Sequence, residues 1–423
     1  MLPLRLPRVI RRVAVRHAGS HHRLSVVVVT VLAVSQSGTM ARTQANNRAP
    51  WAEFGVSVAA SSDTIFVAAS PMRNGQRDPG TVHVFQRQQS AWVRAGVLPV
   101  PEARIEDSFG ISMATDGKTL VVGAQFADSR GDDSGLAYVF ERSGEQWRPA
   151  VVISALDARA GDQFGLTVSV SGETIVVGAR LADGHAADVG AAYVFAHRAG
   201  NWQQVRKLMA SDAARGDIFG RVSIDADRML VTADLNDDRG SNAGKAYAFE
   251  NQRGAWVEVA KLTASDGVAG DEFGISLALK GSTAVFGAVG AAYVFERREG
   301  KWSQLARLKA DDGRPRDAFG FTVAASDDLI VVGAPNHSGS GDRAGAAYVF
   351  ERRGNLWSQM GKLTAGDAAP ATWFGNSVAI GRDTIVVGML TNGDGKRSGA
   401  AYVFERQQGR WLEVARLLPE VRR

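Results

Sequence analysis

The stretch FGLTVSVSGETIVVGARLADGHAADVGAAYVFAHRAGNWQQVRKL, residues 164–208, decides the fold. It contains four apolar or alternating runs, namely FGLTVSV (164–170), TIVVGA (174–179), AAYVF (191–195) and WQQVRKL (202–208). Alternation and β-branched runs bounded by Gly, Asp and Asn predict β-strands. Short polar turns join the first run to the second and the third to the fourth. The stretch therefore predicts an antiparallel four-stranded sheet.

The same pattern recurs along the chain with a nearly constant period. Its clearest marker is a Phe-Gly pair, which begins at Phe54, Phe109, Phe164, Phe219, Phe273, Phe319 and Phe374. The differences between successive numbers are 55, 55, 55, 54, 46 and 55. This period suits one four-stranded blade with its turns. We predict an all-β fold, a seven-bladed β-propeller over residues 46–423 with blades starting near 54, 109, 164, 219, 273, 319 and 374.

Residues at the repeat positions are predicted to be core. All six tyrosines fall in the predicted third strands, so none is set apart as a binding aromatic. The fifth unit is shorter, because only Val289 and Gly290 separate Ala288 from Ala291. We expect a bare hairpin there, with the loop between the second and third strands deleted.

Composition narrows the function classes. The net charge of +5 comes from the leader, where residues 1–50 carry eight Arg and no acidic residue, against 41 basic and 44 acidic residues in the rest. A mildly acidic body lacks the basic footprint of nucleic-acid binding. The chain has no Cys, which excludes disulfides and thiol chemistry.

Residues 1–45 have the order of a secretory leader. Six Arg precede an apolar run, residues 24–34, and small residues follow it. The run is shorter than the ~20 residues needed to span a bilayer. We expect a signal peptide and an exported protein, in the periplasm, on the cell surface or outside the cell. A membrane-anchored leader and a mis-assigned start are the alternatives, and no transmembrane span is expected in the body.

The repeats resemble FG-GAP repeats, the units of the integrin α-subunit propeller and of many bacterial exported proteins. The FG is explicit in all seven units, and the GA stands at 123–124, 178–179, 287–288 and 333–334, with Pro335 completing GAP once. The resemblance covers residues 51–419 and implies a binding or adhesion module.

The resemblance also implies calcium in a DxDxDG loop between the first two strands. Here those loops read SSDT, DGKT, SGET, DADR, KGST, SDDL and GRDT, which lack the spaced oxygen ligands. Asp225 and Asp227 come nearest, but Arg228 follows them. We therefore predict no cofactor, and calcium stays open only away from these loops.

Strand alternation places the fourth-to-first and second-to-third connections on one face, called the top face; the two hairpin turns of each blade lie on the bottom face. Acidic residues recur in the fourth-to-first connections, two and seven residues before Phe. These are hypothesised to cap backbone amides or, less simply, to bind a cation. The metal candidates are Asp157, Asp162, Asp212, Asp217, Asp266 and Asp271.

The second-to-third loops vary most between units, and binding specificity normally lies in variable loops on a rigid scaffold. Their carboxylates are the candidate ligand-face residues. These are Asp128, Asp132, Asp133, Asp183, Asp188, Asp237, Asp238, Asp342 and Asp394. The bottom turns are rich in Arg with acidic neighbours, which indicates a solvated, partly paired rim.

No catalytic constellation is recognisable, because the four His of the body are spread over three units and different kinds of element. We expect a monomeric, non-catalytic module that binds a protein or glycan on its top face. The alternatives are a structural piece of a surface or secretion assembly, and a polysaccharide-directed enzyme with its site at the channel mouth. Carboxylates that lie deep in the channel and do not repeat from blade to blade would favour the enzyme.

Overall fold

The computed structural model describes residues 53–69, 72–73, 76–77, 79–100, 107–391 and 398–419. The predicted leader, residues 1–45, lies outside the described residues, and so does the ligand-face candidate Asp394. The described ranges contain strands and turns but no α-helix. The described residues therefore contain no helix that is long and apolar enough to cross a membrane.

Strands form seven four-stranded antiparallel sheets and one small hairpin, β3–β4, in the second-to-third loop of blade 1. Blade 1 and its hairpin contain β1 (Val58–Ala60), β2 (Thr64–Ala69), β3 (Met72–Arg73), β4 (Gln76–Arg77), β5 (Thr81–Gln88) and β6 (Ala91–Val97). Blade 2 contains β7 (Met113–Thr115), β8 (Thr119–Ala124), β9 (Leu136–Ser143) and β10 (Gln146–Ile153). Blade 3 contains β11 (Phe164–Ser171), β12 (Thr174–Ala179), β13 (Ala191–Arg198) and β14 (Asn201–Leu208).

Blade 4 contains β15 (Arg221–Asp225), β16 (Arg228–Ala233), β17 (Lys245–Gln252) and β18 (Ala255–Leu262). Blade 5 contains β19 (Ser276–Lys280), β20 (Thr283–Ala288), β21 (Ala291–Arg298) and β22 (Lys301–Leu308). Blade 6 contains β23 (Thr322–Ala325), β24 (Leu329–Ala334), β25 (Ala346–Arg353) and β26 (Leu356–Leu363). Blade 7 contains β27 (Phe374–Ile380), β28 (Thr384–Met389), β29 (Ala400–Gln407) and β30 (Arg410–Leu417). The predicted seven-bladed propeller and the bare hairpin of blade 5 are confirmed.

The first strands line the axis, because first strands of neighbouring blades contact one another while fourth strands lie outermost. Among the described residues the ring closes without an exchanged strand, since blade 1 is built from the first strands of the chain and blade 7 from the last. Phe54 and Val58 of blade 1 share a core cluster with Val386 and Val403 of blade 7. The Ser377 hydroxyl donates to the Gly55 carbonyl oxygen across this junction at 2.9 Å.

The Phe of each Phe-Gly pair packs edge-on against the aromatic residue of its own third strand. In blade 3 the ring centroids of Phe164 and Tyr193 lie 5.6 Å apart. Blade 1 has a histidine in the tyrosine position, and Phe54 packs against His83 at 5.1 Å. Edge-to-face pairs of this kind add stability beyond the buried area. The repeated aromatics are therefore scaffold, as predicted.

Neighbouring blades meet along a tight seam beside the axis. A Ser or Thr hydroxyl in the first strand donates to the Gly carbonyl of the next Phe-Gly pair, as Thr167 does to Gly220 at 2.6 Å. Opposite it in the register stands the glycine of GA, Gly178, where an added Cβ would lie 1.7 Å from the Gly220 oxygen. The first strands of blades 2, 3, 5, 6 and 7 thus carry a hydroxyl at the seam, and their second strands carry a glycine opposite it.

Blade 4 reverses this arrangement. Its first and second strands pair Arg221 with Thr232. Arg221 stands where the other blades have Ser or Thr, and Thr232 stands where five of them have Gly and blade 1 has Ala68. The Thr232 hydroxyl supplies the seam hydrogen bond, to the Gly274 oxygen at 2.7 Å. Blade 4 also lacks the residue that follows the Phe-Gly pair in blade 3, Leu166. This deletion accounts for the slightly shorter interval between Phe219 and Phe273.

Candidate functional site on the top face

The acidic residues two positions before Phe cap backbone amides. In blades 3 to 6 the Oδ2 of each accepts a hydrogen bond from the N–H three residues earlier. The pairs are Asp162 with Arg159 at 2.8 Å, Asp217 with Ala214 at 2.9 Å, Asp271 with Val268 at 2.9 Å and Asp317 with Arg314 at 2.9 Å. Asp162 and Asp217 are buried. These metal candidates therefore hold a recurring turn.

The acidic residues seven positions before Phe hold a different structure, which we call the staple. In it the carboxylate binds a cation from the end of the fourth strand, and that cation lies over the ring of the third-strand tyrosine. In blade 3, Lys207 Nζ lies 2.7 Å from Asp157 Oδ2 and 5.4 Å from the Tyr193 ring centroid. Staples recur in five blades, as Asp157–Lys207–Tyr193, Asp212–Lys261–Tyr247, Asp266–Arg307–Tyr293, Asp312–Lys362–Tyr348 and Asp367–Arg416–Tyr402.

The staple neutralises much of the predicted acidity of the top face. Burial raises the pKa of Asp157, but the hydrogen bond and charge of Lys207 and the hydrogen bond from Tyr193 together outweigh it, and the pKa lies below its usual value. Burial and the hydrogen bond to Asp266 raise the pKa of Tyr293 to about 12. Blades 1 and 2 have Val97 and Val152 in place of the cation.

The metal candidates thus form two scaffold layers. Within the described ranges, no three side chains of His, Asp or Glu converge in a way that could hold a metal ion. The sequence could have indicated the staple, because the cation recurs at one position of the fourth strand in blades 3 to 7.

The second-to-third loops also use acidic residues as caps. The first Asp of the loop accepts a hydrogen bond from the N–H five residues later, and that later residue has positive φ. The pairs are Asp128 with Asp133 at 2.9 Å, Asp183 with Asp188 at 3.1 Å and Asp237 with Asn242 at 2.7 Å, with φ of 55°, 53° and 54° at the later residue. Each cap therefore holds the backbone of its loop, and the later side chain is exposed in Asp133 and partly exposed in Asp188 and Asn242.

Three other ligand-face candidates differ in their surroundings. The Asp132 carboxylate is exposed and accepts no hydrogen bond from a described residue. Asp238 binds the buried ammonium group of Lys245, which also binds Asp212. Asp342 is exposed, with an oxygen 3.8 Å from Arg343 Nε. The structure therefore spreads these candidates over separate blades instead of bringing them into one pocket.

On the bottom face, ion pairs connect neighbouring blades. An Arg at the end of one third strand binds an acidic residue of the preceding blade. The pairs are Arg142–Asp63, Arg297–Glu250, Arg352–Glu296, Arg406–Glu351 and Arg87–Glu405, with distances of 2.6, 2.5, 2.5, 3.1 and 3.1 Å. The last pair spans the closure of the ring. The basic bottom turns are thus largely paired internally.

One buried arrangement in blade 6 resembles a catalytic relay but belongs to the scaffold. His337 Nδ1 lies 2.7 Å from Asp317 Oδ2, and its Nε2 lies 2.7 Å from Lys362 Nζ. Since the ammonium group can only donate, Nε2 accepts and Nδ1 donates to Asp317. The equivalent Asn236 in blade 4 donates to Asp217 in the same way at 3.0 Å. Both side chains brace the capping carboxylate.

The least regular part of the top face is a charged group beside the axis at blades 3, 4 and 5, which we call the axial cluster. It consists of Arg180, Arg221, Asp234 and Glu272. Asp234 is 3% exposed, and its Oδ1 lies 3.4 Å from Arg221 Nε without hydrogen-bond geometry, so both atoms lack a hydrogen-bond partner among the described residues. The Arg180 and Glu272 side chains make no hydrogen bond or ion pair to a described residue.

The electrostatics of the axial cluster are set by burial and by its own members. Burial, and after it the Asp234 carboxylate, raises the pKa of Glu272 to about 7, and the two guanidinium groups only partly offset this. Burial lowers the pKa of Arg180, which Asp234 and Glu272 oppose. A half-buried guanidinium group without a hydrogen bond is costly.

Sequence analysis did not single out any of these four residues. The available signal was the shortened interval between Phe219 and Phe273, since the missing residue brings Arg221 into the seam. Arg180 and Asp234 occupy the position after GA, where blades 5, 6 and 7 have Val289, Pro335 and Leu390. Each residue is unremarkable alone, and only the ring brings them together.

Comparison with known proteins identifies the repeat. The family model described as FG-GAP repeat matches residues 92–140, 147–195, 202–249, 256–295, 302–350 and 357–404. Each segment begins in the fourth strand of one blade and ends in the third strand of the next. Seven blades contain only six such segments, because the remaining one is divided between the two ends of the chain. No curated protein matches this sequence.

Two solved structures are similar in fold. A functionally unknown protein from Desulfotomaculum acetoxidans has a TM-score of 0.50 at 10% identity, covering 80% of this chain and 92% of that chain. A putative 6-phosphogluconolactonase from Bacteroides fragilis has a TM-score of 0.49 at 13% identity, covering 79% of this chain and 89% of that chain. Likeness at such identity concerns the fold alone. The family model, by contrast, matches more than half of the chain, and the protein belongs to the FG-GAP repeat family.

Proposed function

We propose that this FG-GAP propeller is an exported, monomeric and non-catalytic binding module whose protein or glycan ligand contacts the top face. The observation that supports this is where the repeat is broken. On the bottom face, Arg–carboxylate pairs recur around the ring. On the top face, blade 1 inserts a hairpin, blade 5 lacks a loop and blade 4 gains charged residues. On repeat proteins, ligand contacts arise at positions that depart from the repeat and that the scaffold does not need.

The loops of blades 2 and 3 supply side chains for such contacts. Internal caps rigidify residues 128–133 and 183–188, so their outward groups are held at low entropic cost. The Asp132 carboxylate is exposed, and Asp188 is partly exposed. We expect these groups to contact the ligand, while the caps Asp128 and Asp183 only shape the loops.

The test is a binding screen of the full chain against a panel of glycans and proteins, with calcium and with a chelator. A hit is then measured with the double variant Asp132→Arg and Asp188→Arg. We expect binding to weaken at least about tenfold, since two ligand-facing charges are reversed. The matched control is Glu299→Arg in an exposed bottom turn. Binding unaffected by the top-face variant, or equally weakened by both variants, contradicts the proposal.

A specific observation favours an enzyme as the second candidate. Asp234 and Glu272 are asymmetric carboxylates near the axis, and the pKa of Glu272 is raised to about 7, which suits a general acid. The test is release of reducing ends from polysaccharides by the full chain and by Glu272→Gln. Hydrolysis that the variant abolishes supports this candidate, and absence of hydrolysis across the panel rejects it in favour of the binding module.

A further inference from the structure

We propose that the axial cluster is a binding site for a carboxylated sugar residue of an acidic glycan, held through the Arg180 guanidinium group. The inference deepens the proposed function, on which it rests, by naming the substrate class and the anchoring residue. It begins from the atoms that the fold leaves unsatisfied.

Four groups in the axial cluster are buried or half-buried without adequate partners. Asp234 Oδ1 and Arg221 Nε lie 3.4 Å apart as an ion pair without a hydrogen bond, and both atoms are inaccessible to solvent. Arg180 and Glu272 are partly exposed and make no hydrogen bond to a described residue. Leaving a buried polar group without a hydrogen bond is unfavourable, and such groups call for a particular explanation. A ligand that pairs with Arg180 and Glu272 is that explanation here.

The scaffold does not account for these residues. In the other blades the Arg221 position holds Ser or Thr, and the seam hydrogen bond of blade 4 comes from Thr232 instead. The equivalents of Asp234 in blades 5, 6 and 7 are apolar. Blade 4 could therefore close its seam with neutral side chains, as its neighbours do.

A gap in the ring of residues beside the axis gives the axial cluster its place. The residue after each Phe-Gly pair stands at the top of a first strand, and six blades contribute Val56, Ile111, Leu166, Ile275, Phe321 and Asn376. Blade 4 contributes none, because its first strand continues directly with Arg221. The mostly apolar ring is thus interrupted where the charges lie. Phe321 and Trp373, on blades 6 and 7, are partly exposed.

The mixture of groups decides the ligand class. Arg180 is a planar donor that suits a carboxylate, while Glu272 needs a partner such as a hydroxyl group. A sugar acid offers a carboxylate and neighbouring hydroxyl groups within one residue. A simple anion would satisfy Arg180 but leave Glu272 without a hydrogen bond. A neutral sugar would satisfy Glu272 but leave Arg180 without a bidentate acceptor.

The test uses full-length protein and three probes, the trisaccharides of galacturonate, glucuronate and mannuronate, by calorimetric titration. Each has a matched control, the methyl ester, in which the carboxylate is masked. We expect at least one acid to bind and its ester to bind at least about tenfold more weakly. Binding by none of the three, or equal binding of acid and ester, overturns the inference.

Two variants locate the site. Arg180→Gln should weaken the acid about tenfold or more without affecting the ester, whereas Arg316→Gln, an exposed arginine of a top connection, should leave both within about twofold. The second variant restores the regular repeat in blade 4 by inserting a leucine after Gly220 and combining Arg221→Thr with Thr232→Gly. Because this blade then matches its neighbours, we expect the variant to fold but to lose binding of the acid. Full acid binding by this second variant overturns the inference.

Failure here is distinguishable from failure of the proposed function. If the reversal at Asp132 and Asp188 abolishes binding of a hit while Arg180→Gln does not, the top face binds its ligand elsewhere. The module proposal then stands and the axial site falls. If no top-face variant affects any hit, both fall.

Discussion

Blades 3 and 4 are neighbours, and each has its own staple, capped turn and capped loop. The two blades differ beside the axis. Blade 3 has Thr167 opposite Gly178, while blade 4 has Arg221 opposite Thr232. The difference keeps the seam hydrogen bond but adds a charged residue whose Nε makes no hydrogen bond. The seam of blade 4 therefore does not need the Arg221 charge.

The staples and the axial cluster offer a second contrast on the same face. Both use Arg, Lys, Asp and Glu. In the staple each charge has a partner and the arrangement recurs in five blades. In the axial cluster the arrangement occurs once, and Arg180 has no described partner. A charged arrangement that recurs from blade to blade, and in which every charge is paired, belongs to the scaffold.

The largest effect is expected at the regular seam. In Gly178→Ala the new Cβ would lie 1.7 Å from the Gly220 oxygen, a backbone atom that cannot move aside. We expect a loss of at least about 3 kcal/mol in the free energy of unfolding. The measurement is urea denaturation, with Gly361→Ala, in the fourth strand of blade 6 where an added Cβ meets only ordinary contacts, as the control. Equal losses in both variants contradict the seam.

The next effect is expected in the staple of blade 4. Asp212→Ala removes the closer of two acidic partners of Lys261 and one of two partners of Lys245, whose side chain is only 8% exposed. Because a buried ammonium group then keeps only Asp238, we expect a loss of roughly 3 kcal/mol. The same change at the exposed Asp132 should cost less than about 0.5 kcal/mol. Thermal and urea unfolding both measure this difference, and equal losses in the two variants would contradict the prediction.

The third prediction concerns pH and the axial cluster. The pKa of Glu272 rises from 4.5 to about 7 on folding, so its contribution to stability is full below about pH 4.5 and is lost as pH rises through 7. The groups that act on it are Asp234, Arg221 and Arg180. Glu272→Gln should remove this loss, making the variant more stable than the wild type by about 2 kcal/mol at neutral pH, discounted for partial exposure.

Urea titrations from about pH 4 to about pH 8 measure this difference. The variant and the wild type should converge at the acid end. A difference that is constant across the range would contradict the assignment to Glu272.

The smallest effect sharpens the comparison of the two blades. Thr232→Val and Thr167→Val each remove one hydroxyl that donates to a glycine carbonyl across a seam, at 2.7 and 2.6 Å. Both should cost about 1 kcal/mol, since one carbonyl is left unpaired in each. Comparable losses by urea denaturation support the view that Thr232 replaces the first-strand hydroxyl. A silent Thr232→Val would reject it.

Much of this architecture was predictable because each blade repeats the same local instructions. Phe164, Gly178 and Tyr193 recur with their neighbours at fixed positions, and strands with turns of fixed length allow only one antiparallel order. The staple was missed although Lys207 recurs just as regularly. Its partner Asp157 lies 50 residues away, and charge pairing over that distance cannot be read without the sheet register.

The candidate site was predicted only in part. The top face and its loops followed from strand alternation, and the caps at Asp128 and Asp183 gave those carboxylates a structural role. The axial cluster draws Arg180, Arg221 and Glu272 from three blades. No local pattern joins them, because their proximity depends on how neighbouring blades pack.

The sequence by itself determined the seven blades, their strand order and the two faces, because these follow from local periodicity and turn length. Only the tertiary structure decided which charges are neutralised. Whether a carboxylate oxygen accepts a hydrogen bond, as Asp157 does from Lys207, or makes none, like Asp234 Oδ1, depends on contacts between segments distant in the chain. Burial then sets the cost of each unpaired charge, and burial is a property of the closed ring.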